Sequence, residues 1–97
     1  CVDGPSAGAA IYLAIFSAIE QKLVRQDVAI TGELSIQGKV KPVGALHEKI
    51  YGAKQAGIKE FLIPAENLKD IPQGIAGIDI IPIQYINEAY SHVFVND

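Results

Sequence analysis

Residues 46–64 read Leu46-His47-Glu48-Lys49-Ile50-Tyr51-Gly52-Ala53-Lys54-Gln55-Ala56-Gly57-Ile58-Lys59-Glu60-Phe61-Leu62-Ile63-Pro64. They hold a helix, its stop and a buried strand in immediate succession. Ala45 or Leu46 to about Ala56 reads as the helix, and Gly57 is its stop. Lys59 to Ile63 is a short apolar strand ended by Pro64. Advancing about 100° per residue from Leu46 puts Ile50, Ala53 and Gly57 within about 40° of it, on one apolar face. His47, Tyr51, Gln55 and Glu48 form the opposite face. Lys49 falls at about 300°, between Ala53 and Ala56, on the inward side. Two readings of that lysine stay open. Its stem can lie along apolar surface with the amine in water. Alternatively, a desolvated amine with a lowered pKa can act as a base.

Outward from this stretch the pattern continues as α/β. Downstream, Ala65 to Asp70 is a short helical turn, Gly77 to Ile83 a strand bounded by Gly77 and Pro82, and Asn87 to Phe94 a final helix. Asn87 is its candidate cap, and Tyr85 and Tyr90 are packing residues of that helix. Upstream, Val28 to Val43 is β structure with a hairpin turn near Gln37-Gly38-Lys39. Gly32 interrupts its first strand, which marks a bulge or a close backbone approach. Ala7 to about Lys22 is apolar nearly all round and reads as a central helix. The element order requires at least one parallel crossover.

Composition bounds the rest. The 97 residues allow one domain; 49% are hydrophobic and 20% charged, which means a globular chain. A net charge of −3 argues against general nucleic-acid binding. No apolar run reaches the ~18 residues of a membrane span. One cysteine excludes an intrachain disulfide and a Cys-based zinc site, and cytoplasmic residence follows as the expectation. No metal-ligand spacing and no phosphate-binding P-loop occurs. The chain starts at Cys1 and contains no methionine, so a fragment or processed product is expected.

Asp3-Gly4-Pro5-Ser6 is turn chemistry leading into the first helix. Ser6 reads either as a helix cap or as a nucleophile. Free backbone N–H groups at a helix start can stabilise an alkoxide and an oxyanion. A nucleophilic serine needs a base. His47 is on the wet face of its helix and His92 is near the end, so Lys49 is the candidate, as half of a serine–lysine dyad.

Three ordered blocks carry a resemblance. They are Asp3-Gly4-Pro5-Ser6-Ala7-Gly8, Arg25 to Glu33, and Gly38 to Lys49, followed by Ala56-Gly57-Ile58-Lys59, Ile63-Pro64 and Glu66-Asn67. Together they resemble the proteolytic domain of Lon proteases. The resemblance implies a Lon-type α/β fold with a central helix, a β-hairpin and a mixed sheet covered by helices. Residues 1–97 would form the C-terminal part of that domain, with its upstream strands absent. It makes Ser6 the nucleophile and Lys49 the general base. Thr31 matches the threonine beside the lysine amine, and Asp3 an acidic residue near the dyad. The implied activity is serine endopeptidase cleavage of unfolded or misfolded polypeptide through an acyl-enzyme. The implied assembly is a ring, commonly hexameric. No cofactor is expected in this chain, and ATP with magnesium would act through an upstream ATPase domain. Two departures stand out: Ala45 replaces a frequent second glycine, and His47 a frequent lysine. The rival readings are a non-catalytic Lon-like module that forms rings or handles DNA, and a phosphate-binding or kinase-like domain that uses Asp3 to Ala9.

Overall fold

The computed structural model describes Ser17, Ile19, Leu23 and residues 25–71 and 75–95. Of the helix expected over 7–22, Ser17 and Ile19 are described and are helical; the rest lies outside the described residues.

Five strands are described: β1 (Val28–Ile30), β2 (Glu33–Leu34), β3 (Val40–Lys41), β4 (Glu60–Pro64) and β5 (Asp79–Ile83). Helix α1 spans Leu46–Gln55 and helix α2 spans Tyr90–Val93. Turns of 3-10 helix cover Ala65–Asp70 and Ile86–Ala89. Strands β1, β4 and β5 form a parallel sheet in the order β1-β4-β5, while β2 and β3 form a separate antiparallel pair. The α/β expectation holds.

β4 is the middle strand, and its composition says why. Phe61, Leu62, Ile63 and Pro64 are all buried, as expected where a parallel strand is covered on both faces. Alternation sends neighbouring side chains to opposite faces. Leu62 joins Val40, Ile83, Ile86, Ala89, Val93 and Phe94 on one side. Phe61 and Ile63 join Leu46, Ile50 and Ile78 on the other. Helix α1 thus covers one face of the sheet, and the C-terminal helical segment covers the other. Pro82 lies inside β5, opposite Ile63, rather than at the strand's boundary. β5 is an edge strand among the described residues, where a missing N–H donor is tolerated.

The chain changes sheets at Thr31-Gly32. The Thr31 N–H still donates to the Leu62 carbonyl at 3.0 Å, which extends the β1–β4 ladder. Gly32 has φ 152°, and a Cβ there would overlap Val40 Cγ1. This is the close approach expected from an isolated glycine in a strand. The hairpin that follows turns at Gly38, with φ 84°, and leaves Ile36 fully exposed at its tip. β3 is held on its other side by the Val40 N–H to Gln84 carbonyl bond (2.8 Å) and the Ile86 N–H to Gly38 carbonyl bond (2.8 Å).

Two local expectations are corrected. The final helical segment starts at Ile86, not Asn87. The Glu88 carboxylate reaches back to accept from Tyr85 N–H (2.7 Å) and Gln84 N–H (3.0 Å), so Asn87 has no capping role. Tyr85 is exposed and bridges to Lys39 instead of packing within the helix. Tyr90 does pack against the core, its ring 5.9 Å from that of Phe94.

Candidate functional site

Helix α1 places Lys49 in its first turns. Leu46 and Ile50 anchor the helix in the core, and Ala53 packs beside them. The Lys49 backbone N–H donates to the Ala45 carbonyl at 3.2 Å, one of the first bonds of the helix. Its side chain is half-buried and folds back, so that Nζ donates to the Gly44 carbonyl at 3.2 Å. Lys49 forms no ion pair among the described residues. The amine lies over the start of its own helix with its bond exposed, which is the arrangement of the first reading, a partly buried stem with the amine at the surface.

The backbone before the helix is shaped for this. Ala45 adopts the left-handed conformation, φ 56° and ψ 37°, at the helix N-cap. That geometry favours glycine, which explains why a glycine would be the ordinary residue there. Val43, two positions earlier, is held by the buried Asn67 side chain. Asn67 Oδ1 accepts from Val43 N–H at 2.9 Å, and Nδ2 donates to the Val43 carbonyl at 3.0 Å. Nδ2 also donates to Asp70 Oδ2 at 3.0 Å. An open cleft of about 450 Å³ lies here, lined by residues 43–48 and Asp70.

Thr31 is buried at the end of β1. No hydrogen bond joins it to Lys49, whose amine bond goes to Gly44. Ser6 and Asp3 lie outside the described residues. His47 is exposed on the first turn of α1. His92 is engaged elsewhere, with Nδ1 at 3.4 Å from Glu60 Oε1. Among the described residues no group of three or more His, Cys, Asp or Glu side chains could hold a metal ion.

The family model for the Lon protease C-terminal proteolytic domain matches residues 1–96. The chain belongs to that family. Lon protease 1 of Hydrogenovibrio crunogenus is 48% identical over 92 residues, which is 91% of this chain and 11% of that protein. Lon protease 2 of Bacillus subtilis is 45% identical over 95 residues, 98% of this chain and 17% of that protein. Lon protease of Azospirillum brasilense is 41% identical over 99 residues, 98% of this chain and 12% of that protein. The chain thus spans a small fraction of these relatives' length. As a Lon-family proteolytic domain it is α/β as expected; the described strands divide into a small parallel sheet covered by helices and a separate hairpin rather than one mixed sheet. No helix among the described residues is long and apolar enough to cross a membrane.

One contributor escaped the sequence reading. Asn67 appeared there only as part of a matching block, yet it is a buried polar side chain with its polar atoms paired. Asn67 stands three positions after Pro64, past Ala65 and Glu66, and nothing in that local pattern marks it as buried.

Proposed function

We propose that this chain carries the chemistry of a Lon-type endopeptidase, with Ser6 as nucleophile and Lys49 as general base. The observation that carries the reading is the family match over residues 1–96, which takes in both residues. The setting of Lys49 supports it. Its amine bonds the Gly44 carbonyl at the start of its own helix and has no carboxylate partner among the described residues, so no ion pair there has to break before it turns to a serine hydroxyl. In the proposed cycle the neutral amine takes the Ser6 proton, and Ser6 attacks a peptide carbonyl. Backbone N–H groups beside Ser6 hold the oxyanion. Lys49 then protonates the leaving amine, and water releases the acyl group with Lys49 again as base. Thr31 and Asp3 are proposed to adjust the lysine from nearby. The substrate proposed is unfolded polypeptide, and the assembly a homo-oligomeric ring whose ATPase lies in another part of the protein. Cytoplasmic residence is part of the same proposal.

The test uses the complete protein. Ser6→Ala and Lys49→Arg are each expected to abolish peptide cleavage while leaving assembly unchanged. Arginine stays protonated and cannot accept the serine proton. A Lys49→Arg variant with full activity would refute the base assignment.

A further inference from the structure

We propose that Asn67 is a positioning residue for Lys49, acting through the backbone of Val43 and Gly44. The inference rests on the assignment of Lys49 as the base. The Asn67 carboxamide matches both polar groups of Val43, giving one hydrogen bond and receiving another at 3.0 and 2.9 Å. It behaves as a single residue of an extra strand laid against the loop. Its orientation is set by Asp70: a carboxylate only accepts, so the amide nitrogen must face it, at 3.0 Å. Asn67 is 3% exposed, so its ends of these part-buried bonds are shielded from competing water.

The clamped residue stands next to the one that matters. Gly44 follows Val43, and its carbonyl receives the Lys49 amine at 3.2 Å. Ala45 then starts helix α1 from a left-handed conformation that an unrestrained alanine would leave. Asn67 thus fixes the height and tilt of the carbonyl on which the amine rests. The turn that supplies it is anchored by β4, the most buried strand. Asp70 is exposed and lines the cleft at the start of the helix, so the brace runs from core to surface.

Displacing a catalytic group by about 1 Å can cost on the order of a hundredfold in rate. In the complete protein, Asn67→Ala is expected to lower kcat for a short peptide by about 10- to 100-fold with KM held within about twofold. Acylation of Ser6 by a peptidyl electrophile, followed by mass spectrometry, should slow by the same factor. Val93→Ala, on the other side of the sheet, serves as a control and should lower Tm without this loss in kcat. Asp70→Ala removes only the exposed brace. It should give a smaller loss of the same kind, and none when added to Asn67→Ala, since the two residues act as one unit. Asp70→Ala decides the matter if Asn67→Ala fails to assemble. Unchanged kcat and acylation in Asn67→Ala, or additive losses in the double variant, overturn the proposal. So does a loss of kcat in Val93→Ala equal to that in Asn67→Ala at matched Tm. Failure of the parent protein to acylate at Ser6 would instead remove the nucleophile assignment, and with it the dyad that the clamp serves.

Discussion

Replacing Ala45 by glycine should make the protein more stable. Ala45 sits at φ 56° and ψ 37° and is the only non-glycine residue with positive φ among the described residues. The left-handed conformation costs an L-residue roughly 1–2 kcal/mol because Cβ crowds the following carbonyl. Glycine removes that cost but brings back about 0.4–1 kcal/mol of unfolded-chain entropy. Ala45 is exposed, so deleting its methyl group forfeits little burial. Taking the middle of each range, the balance is a gain of about 0.5–1 kcal/mol. At about 4–8 °C per kcal/mol for a domain of 60–100 residues, Tm should rise by roughly 2–8 °C. Differential scanning calorimetry of the complete protein, following the transition of the proteolytic domain, measures it. The adjacent position supplies the contrast. Gly44 does not have positive φ, and a Cβ there would meet nothing within 4 Å. Gly44→Ala should therefore be tolerated, and Gly44→Ala with Ala45→Gly should keep the gain. A Tm that falls or stays level in Ala45→Gly would refute the strain argument.

Gly32→Ala should destabilise by at least about 2 kcal/mol, combining an overlap with Val40 Cγ1 and a left-handed φ of 152°; urea unfolding reads this, and a neutral result would mean that the Thr31-Gly32 crossing is looser than described. Asp27 is held below the ordinary carboxylate value of 3.8, chiefly by its hydrogen bond from the Arg25 guanidinium. A lowered folded-state pKa stabilises above the unfolded value and is lost as pH falls through the folded one. Asp27→Asn should therefore flatten the decline of stability below about pH 4, and an identical acid limb in urea midpoints would dismiss the pairing as a contributor.

The parts of this fold that could be read in advance are those governed by near neighbours. Helix α1 and its stop at Gly57 follow from a helical period and one glycine with φ 82°. β4 follows from an apolar run between Gly57 and Pro64. Lys49 fell on the inward side of a wheel drawn from sequence, and it is half-buried. Other features depend on distant partners. Val28–Ile30 and Glu33–Leu34 share one apolar period but join different sheets, because Gly32 must pass under Val40. Asn87 looks like a cap, yet the carboxylate of Glu88 takes the role by reaching back to Tyr85 N–H. The bonds of Asn67 join it to a residue 24 positions away, beyond any local pattern.

Arg25 ties together three places that the chain reaches at very different times. Its guanidinium meets Asp27 two positions on, Glu60 35 positions on and the His92 carbonyl 67 positions on. The Arg25 N–H donates to the Val93 carbonyl at 2.7 Å, and the Val95 N–H to the Leu23 carbonyl at 2.8 Å. Closing loops of such length carries an entropic penalty that must be met before the contact gives anything back. On a ribosome that adds about 5–20 residues per second, the segment around Arg25 waits several seconds for its last neighbours. The seam joins Leu23 and Arg25 to Val93 and Val95, two stretches that the chain makes far apart in time.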